Sequence, residues 1–461
     1  MNKRNIIILA IGIGLVILGI VSFLGYIFFA KCRIKSNSVK QENSTVNNLP
    51  NILLITVCSL RQDHLGCYGY QRNTTPNIDR LAETSIVFKD CYTHLPWTIP
   101  STKALLTGKY PSAALDIANE VVLTEWLRSV GYEVFGIMGT YAVKRAKLDI
   151  GFDKFYGPKD PGNLETAQDS HTVRASVVAD KVIEMIDPEK TGGMPKFVWA
   201  FFKDPHWKYL PPHPYNKRFL NDSCYKDEEG QLSINKNYYN SHGGIGQARL
   251  RVPNSGEFIT DKAYYISQYD GDICYMDREV GRIISHLKNL GEFDDWLIIF
   301  LADHGESLGE DNYFFNHGAT ISNALIKIPL IVKMPGQHTE KIVNDLTSIC
   351  DIYPTLIDLL IRDRSKKRNQ FYGKNFLTQE QNLNLNSNKR ALMLANTREL
   401  NVKGEKIVGC IWGKYKLRWD LSIDKKRLYD VSVTEEVIKN PNLRQKKIIH
   451  KMEKLIKNFF N

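Results

Sequence analysis

Short apolar runs alternate with amphipathic stretches from residue 51 onward, and this alternation strongly constrains the fold. Five runs are rich in β-branched and aromatic residues and too short for buried helices: NILLITV, YEVFGIM, FVWAFF, WLIIFLA and PLIVKM. The stretches between them have helical spacing, and the longest extends from Lys262 to Leu290. Strands that alternate with helices pack as a parallel or mixed sheet with helices on its faces. The sequence therefore predicts a doubly wound α/β domain built on a mixed sheet.

Reactive side chains follow three of these runs at the point where each run ends. They are Cys58 and Ser59 after NILLITV, Lys203, Asp204 and His206 after FVWAFF, and Asp303, His304 and Glu306 after WLIIFLA. In open α/β sheets, ligands bind beyond the carboxyl ends of the strands. If the three strands are neighbours, these side chains meet in one crevice, which is therefore the predicted site.

The N-terminus carries a long apolar segment between Ile6 and Ala30. It is long enough to cross a bilayer, which requires roughly 20 helical residues, and longer than the roughly 7–15-residue core of a signal peptide. We interpret residues 1–30 as an uncleaved transmembrane signal anchor. Residues 31–50 are polar and end in proline, which is typical of a tether. Basic residues flank both ends of the apolar segment, so the positive-inside rule leaves the orientation open.

The chain is basic, with a formal net charge of +11, and basic residues crowd its C-terminal end. This pattern is typical of a solvated helix face, and the alternative is attraction to anionic substrates or lipid headgroups. No nucleic-acid-binding motif accompanies the charge, so we expect no nucleic acid as a partner.

Two further segments stand apart by composition. Strand-like pieces and a basic helical stretch follow RDRSKKRNQ, which predicts a small α+β subdomain over residues 364–461. Residues 216–256 are polar, rich in Gly and Asn and weakly periodic. Insertions of this length in compact domains are often functional, and we expect this one to shape the pocket.

Several long segments occur in the order that one known family shows. They are the N-terminal stretch from NILLITVCSLRQDHLGCYGY to PWTIPSTKALLTGKYPS, then DPHWKYLPPHPY, QYDGDICYMDREVGRII, LADHGESLGEDNYFFNHG, DIYPTLIDLL and LYDV. From about Asn51 to Val431 the chain resembles the sulfatase family of the alkaline phosphatase superfamily. The resemblance implies a catalytic domain, here residues 51–363, that acts on sulfate or phosphate esters. Because the family usually works outside the cytoplasm, we expect a single-pass membrane protein with an extracytoplasmic catalytic domain.

The resemblance also implies a divalent metal site. Asp303 and His304 match the family's Asp-His or Asp-Asn ligand pair, and Cys58 stands where the family has an acidic ligand. A thiolate is softer than a carboxylate, so zinc is favoured, with calcium, magnesium or manganese as alternatives. Cys58, Thr98, Asp303 and His304 form a candidate four-coordinate zinc site, with Ser59 as a weak ligand or a supporting group. The competing interpretation is that the acidic ligand is lost and the site binds metal poorly.

The family's nucleophile position is Thr98, in the sequence Thr98-Ile99-Pro100-Ser101-Thr102. Sulfatases make a formylglycine from the Cys or Ser of a C-x-P-x-R motif, and this chain has neither that residue nor the Arg. We therefore expect no formylglycine. A Thr here resembles the phosphotransferase and phosphodiesterase members, in which Thr forms a covalent phospho-intermediate. Lys103 is a candidate to neutralise the anion in place of the missing Arg, the alternative being a solvated lysine.

Two histidines match family positions near the transferred group. His206 of DPH is expected to contact a substrate oxygen, and His317 of NHG to lie near the metal and the leaving group. Where many relatives have a further histidine, this chain has Asp311, which implies one ligand fewer or a substituted one.

These features lead to one expected function and one alternative. The expected function is metal-dependent hydrolysis or transfer of a sulfate or phosphate ester, with Thr98 as nucleophile and a sulfated or phosphorylated envelope glycan or lipid as substrate. The alternative is a catalytically degenerate, membrane-anchored binding protein that keeps the sulfatase fold.

Overall fold

Strands and helices alternate along the chain, as the spacing of apolar residues predicts. The computed structural model describes residues 49–112, 115–158, 173–187, 193–220, 259–361, 371–377, 390–396, 406–432 and 435–460. Its strands are β1 (Asn51–Val57), β2 (Ile86–Phe88), β3 (Cys91–Tyr92), β4 (Glu133–Met138), β5 (Lys154–Tyr156), β6 (Lys196–Phe202), β7 (Trp296–Ala302), β8 (Ser307–Leu308), β9 (Phe314–Asn316), β10 (Leu330–Lys333), β11 (Lys341–Val343), β12 (Thr347–Ser348), β13 (Ala391–Ala395), β14 (Ile407–Trp412), β15 (Tyr415–Asp420), β16 (Lys425–Asp430) and β17 (Glu436–Val437). Its α-helices span Pro76–Ala82, Thr98–Thr107, Leu123–Ser129, Ala142–Arg145, Ala175–Ile186, Tyr215–Arg218, Lys262–Asn289, Asn323–Ile326, Ile352–Leu360 and Leu443–Phe460. Short 3-10 helices lie at Gln62–His64, Gly66–Tyr68, Ile117–Asn119, Glu310–Asn312 and Ile349–Asp351.

A mixed eight-stranded sheet is built from the apolar runs, in the order β11-β2-β10-β7-β1-β6-β4-β5. The central strand β1 pairs in parallel with β6 on one side and with β7 on the other. Strand β10 runs antiparallel to its neighbours β7 and β2. The predicted mixed α/β sheet is therefore confirmed. Because β6, β1 and β7 are neighbours, the reactive residues that follow them emerge at one edge of the sheet.

The longest helix, Lys262–Asn289, supports the loop that follows β1. It begins at Asp261, whose carboxylate accepts a hydrogen bond from the Ala263 amide at 2.9 Å. Such a cap satisfies an amide that has no partner inside the helix. Two residues of this helix reach the loop. Tyr269 donates its hydroxyl proton to the carbonyl of Ser59 at 2.7 Å, and Asp270 lies 2.7 Å from Nδ1 of His64.

A second, antiparallel sheet of five strands, β13 to β17, follows the main domain. One face of β14 and β15 packs against the helix Leu443–Phe460, and Cys410, Leu417, Met452 and Ile456 are buried in that core. Strand β14 is buried on both faces, because Val408 and Cys410 belong to this core while Ile407 and Ile411 pack in a second cluster with Tyr92 and Leu325. The predicted boundary at residue 364 lies outside the described residues and stays a prediction.

Three further sequence predictions fall on segments that the structure does not describe. These are the anchor over residues 1–30, nearly all of the tether over 31–50 and most of the insertion over 216–256. Within the described ranges, no helix combines the length and the apolar character needed to cross a membrane.

Candidate active site

The turn after β1 brings Cys58 and Ser59 to the edge of the sheet. The Cys58 amide still bonds to the carbonyl of Phe202 at 2.9 Å, as if β1 continued for one more residue. Ser59 then adopts a positive φ of 59°, which is unfavourable for a residue with a side chain. Its amide donates to Oδ1 of Asp303 at 3.1 Å, and its carbonyl accepts the Tyr269 hydroxyl. These hydrogen bonds hold the strained turn and join the ends of β1 and β7.

Cys58, Asp303 and His304 form a cluster of possible metal ligands. One ligand atom from each lies within 4.8 Å of the others, and all three residues are buried. Asp303 Oδ1 accepts the amides of Ser59 and His304, whereas Oδ2 is buried and accepts no hydrogen bond. A buried carboxylate oxygen without a partner is costly unless something, such as a cation, binds it. The sequence prediction placed these three residues in one metal site, and the fold brings them together.

His304 is oriented as metal-binding histidines usually are. Its Nδ1 lies 2.7 Å from the carbonyl of Gly305, and the carbonyl can only accept, so the proton sits on Nδ1. Nε2 therefore keeps its lone pair, 3.5 Å from Asp303 Oδ2 and 3.3 Å from the hydroxyl of Thr98. Burial lowers the pKa of His304 to about 4, so the ring is neutral at physiological pH. A neutral imidazole with a backbone partner on its second nitrogen fits a metal ligand.

The Cys58 thiol is held in its protonated form when no cation is bound. Burial and the neighbouring Asp303 carboxylate both raise its pKa, and the positive charge of Lys203 acts in the opposite direction. A thiol must lose its proton to bind a metal, so binding here releases that proton. The donor set of one sulfur, one carboxylate oxygen and one imidazole nitrogen fits zinc better than it fits calcium or magnesium.

Thr98 is the first residue of the helix Thr98–Thr107, which follows directly after Trp97. Its hydroxyl lies 3.5 Å from Cys58 Sγ and 3.3 Å from His304 Nε2, so it borders the ligand cluster. The first amides of a helix have no partner within the helix and favour an anion. The Ser59 hydroxyl lies 3.9 Å from Cys58 Sγ, which is long for a hydrogen bond to sulfur.

Two more histidines approach the cluster from β6 and from the loop after β9. The His317 ring lies 4.2 Å from the His304 ring and 5.1 Å from the His206 ring, measured between centroids. His317 Nδ1 lies 3.0 Å from Oε1 of Glu306, while His206 Nδ1 lies 2.7 Å from the carbonyl of Trp207. Burial lowers the pKa of His317 to about 4 and that of His206 well below its usual value. The predicted residues His206 and His317 therefore line the same crevice as Thr98.

A lysine next to the cluster is Lys203, which immediately follows β6. Burial lowers its pKa, and the neighbouring acidic groups of Cys58, Glu306 and Asp303 act in the opposite direction. The predicted cation, Lys103, instead donates its ammonium to the carbonyl of Leu115 at 3.3 Å. The lysine that acts to lower the pKa of Cys58 is therefore Lys203, at the end of β6, and not Lys103. The position of Lys203 directly after a buried strand predicts that it lies at the crevice, but it does not predict which role the lysine has.

Glu306 is a second residue whose role the sequence pattern does not predict. It is fully buried, its Oε2 accepts no hydrogen bond, and burial raises its pKa to about 8. Asp311, by contrast, forms an ion pair with Arg418 of β15 and accepts the hydroxyl of Thr320. The Asp311 carboxylate is therefore engaged by residues outside the cluster of Cys58, Asp303 and His304.

The sequence model of the sulfatase family matches residues 50–361, more than half of the chain. The chain belongs to the sulfatase family. Human iduronate 2-sulfatase is 26% identical over 365 residues, which cover 68% of this chain and 64% of that protein. N-acetylglucosamine-6-O-sulfatase of Bacteroides thetaiotaomicron is 21% identical and is covered to 67%, as is this chain.

The same fold occurs in a solved phosphonate monoester hydrolase of Agrobacterium radiobacter. The TM-score is 0.64 at 19% identity, and the match covers 89% of this chain and 95% of the other. Identity at this level establishes the shared fold. The shared fold therefore does not decide which reaction occurs. The reaction has to be inferred from the residues in the crevice.

Proposed function

We propose that this sulfatase-family protein is a metal-dependent enzyme that hydrolyses or transfers sulfate or phosphate esters with Thr98 as its nucleophile. The observation that carries the proposal is the position of the Thr98 hydroxyl, within 3.5 Å of both Cys58 Sγ and His304 Nε2. A divalent cation held by Cys58, Asp303 and His304 would supply positive charge that lowers the pKa of this hydroxyl and offsets the charge of the transferred group. A hydroxyl without such help is a weak nucleophile near neutral pH.

The remaining residues of the crevice suit the anion that is transferred. Lys203 is the lysine beside the cluster, and the rings of His206 and His317 contribute polar nitrogens. The start of the helix Thr98–Thr107 adds backbone amides. In the reaction, Thr98 Oγ loses its proton and bonds to phosphorus or sulfur, the bond to the ester oxygen breaks, and the leaving oxygen takes up one proton, so that an alcohol is released. Water or a second alcohol then accepts the group from Thr98.

The relatives support an anionic ester, such as a sulfated glycan, as substrate, and we include phosphorylated glycans and lipids in the proposal. One relative is named for N-acetylglucosamine 6-O-sulfate and another for iduronate 2-sulfate, whereas a structural neighbour is a phosphonate monoester hydrolase. Because Thr98 cannot become formylglycine, we favour phosphate over sulfate. We further propose that residues 1–30 anchor the enzyme in a membrane with its catalytic domain on the extracytoplasmic side, where envelope glycans and lipids occur.

Two observations favour the alternative, a binding protein without catalytic activity. The Cys58 thiol is protonated in the metal-free site, and Asp311 is paired with Arg418 instead of facing the cluster. A site with fewer and weaker ligands binds a cation less tightly. In that case the crevice would still bind an anionic group through Lys203.

Thr98→Val tests the proposal, with Thr98→Ser as its matched control. Valine keeps the shape of threonine without the hydroxyl, whereas serine keeps the hydroxyl. The expected result is that Thr98→Val loses turnover of aryl phosphate and aryl sulfate esters by at least about 10³-fold, while Thr98→Ser retains measurable turnover. Zinc content should stay the same in both variants if Asp303, His304 and Cys58 are sufficient ligands. Full activity in Thr98→Val would refute Thr98 as the nucleophile, and a native protein without turnover would support the binding protein.

A further inference from the structure

The segment that leads into Thr98 is tied to the end of β13 in the C-terminal sheet. Nδ1 of His94 donates to the carbonyl of Met393 at 2.7 Å, and the Ala395 amide donates to the carbonyl of His94 at 3.0 Å. The indole nitrogen of Trp97 donates to the backbone carbonyl of Asn396 at 3.1 Å. The start of the nucleophile helix therefore takes its position from a strand about 300 residues later in the sequence.

The loop that carries His317 is tied to the same residue of the C-terminal sheet. Nδ2 of Asn396 donates to the carbonyl of Ala319 at 2.9 Å, and Oδ1 accepts the amide of Ile407 at 2.9 Å. Since Oδ1 faces an N–H and Nδ2 faces a carbonyl, both ends of the amide are matched and its orientation is fixed. The side chain is 6% exposed, so water competes little for these bonds.

Trp97 also packs directly on this loop. Its ring lies 5.6 Å from the His317 ring in an edge-on arrangement. Gly318 has a φ of 100°, and a Cβ there would lie 2.0 Å from Cζ2 of Trp97, so only glycine allows this approach. The indole is thus the contact between the nucleophile helix and the His317 loop.

Two basic residues of β15 hold the outer parts of the same loop. The Lys416 ammonium donates to the carbonyl of Ile321 at 2.9 Å and to the side chain of Asn323 at 3.1 Å. Arg418 pairs with Asp311 in the short helix Glu310–Asn312, which precedes β9. These contacts hold the segments before and after His317, and Asn396 holds Ala319 between them.

We propose that Asn396 is a positioning residue that fixes His317 relative to Thr98, so that the C-terminal sheet sets the geometry of the active site. This inference rests on the proposed function for the roles of Thr98 and His317. Its physical basis is that a single residue bonds both segments: the backbone carbonyl holds Trp97 and the side-chain amide holds Ala319. Errors of about 1 Å in such a geometry can lower turnover by roughly 100-fold.

Asn396→Asp is the first test, because it keeps the shape of the side chain and replaces the amide donor that faces Ala319 with a carboxyl oxygen. The new carboxyl keeps an oxygen for the Ile407 amide but sets the other oxygen against the carbonyl of Ala319. We expect kcat for an aryl phosphate to fall roughly 10–100-fold, with KM changed less than about twofold and zinc content unchanged. Asn396→Ala, which removes both side-chain hydrogen bonds, should give a similar or larger fall.

Asn375→Ala is the matched control for a general loss of stability. The Asn375 side chain also makes two hydrogen bonds, to Asp358 at 2.8 Å and from the Leu377 amide at 2.8 Å, in a loop that contacts neither Trp97 nor Ala319 through these bonds. It should lower the melting temperature about as much as Asn396→Ala while leaving kcat within twofold. Trp97→Phe gives a second perturbation, since it removes the indole N–H and keeps a ring on His317. Its effect on kcat should be less than additive with that of Asn396→Ala, because the two changes weaken different hydrogen bonds of the same connection between Thr98 and the His317 loop.

Amide hydrogen exchange separates this inference from the proposed function. Peptides covering residues 313–325 should exchange at least about tenfold faster in Asn396→Ala than in the native protein, whereas peptides of β1 and β7 should not change. Unchanged exchange in this loop would overturn the inference, as would faster exchange with an unchanged kcat. A native protein without any ester turnover would refute the proposed function alone, because faster exchange in Asn396→Ala would still demonstrate that Asn396 holds the loop.

Discussion

Replacing Cys58 with alanine removes the sulfur atom from the cluster of possible metal ligands. It also removes the thiol proton that would have to be released when a metal binds. In the native protein, burial and Asp303 keep the Cys58 thiol protonated when no metal is bound. Zinc must displace that proton, so its apparent affinity should increase with pH. His304 contributes no proton over the physiological range, since burial lowers its pKa to about 4. The pH dependence of zinc binding therefore reports on Cys58.

The size of the pH dependence follows from the release of one proton for each zinc ion that binds. Each pH unit below the thiol pKa changes the apparent affinity tenfold, which is about 1.4 kcal/mol. Between pH 6.0 and 7.5 the native protein should bind zinc about 30-fold more tightly at the higher pH. Glu306, whose pKa burial raises to about 8, is not one of the clustered ligands, so we expect it to keep its proton with and without zinc over this window. In Cys58→Ala the dependence should vanish, and the affinity at pH 7.5 should fall by at least about 100-fold.

The assay is competition for zinc with a chromophoric chelator whose own protonation is known. Cys91→Ala is the matched control, because Cys91 is also fully buried but lies outside the ligand cluster. It should lose stability like Cys58→Ala and keep the native pH dependence. Cys58→Asp, which restores the family's hard ligand, should shift preference towards manganese, calcium or magnesium. Equal and tight zinc binding by native protein and Cys58→Ala would refute the thiolate ligand and leave Asp303, His304 and Thr98.

Three other predictions concern the metal, the pH dependence of stability and the anchor. Asp303→Asn and His304→Ala should each lower bound zinc in elemental analysis of purified protein, and unchanged content in both would remove the assigned site. His94 has its pKa lowered from 6.5 to about 4 by burial, so the unfolded chain binds a proton at higher pH than the folded chain. The free energy of unfolding should therefore fall by up to about 3 kcal/mol as pH drops from 6.5 to 4, and urea unfolding of His94→Gln should lose that part of the slope. A protein that begins at residue 45 should fold without the apolar segment and give a cooperative melting transition, whereas aggregation alone would contradict the tether.

Local sequence is enough to predict the main sheet and the place of the site. Apolar runs such as Asn51–Val57 are predicted as strands because they are short and rich in apolar and β-branched residues, and these properties belong to the residues themselves. Residues that directly follow such strands must emerge at the edge of the sheet, so Cys58, Asp303 and His304 can be grouped from the order of residues alone. The order of motifs similarly predicts the sulfatase family.

The choice of charged and polar groups that serve the site depends instead on tertiary packing. Lys103 and Lys203 are both lysines near predicted site residues, but the path of the backbone directs the first towards Leu115 and the second towards Cys58. The partner of Asp311 is Arg418, more than 100 residues later, and local sequence cannot reveal such a choice. Asn396 bonds to Trp97, 299 residues earlier, and to Ala319, 77 residues earlier, and such distant pairings depend on tertiary packing, which no periodicity encodes.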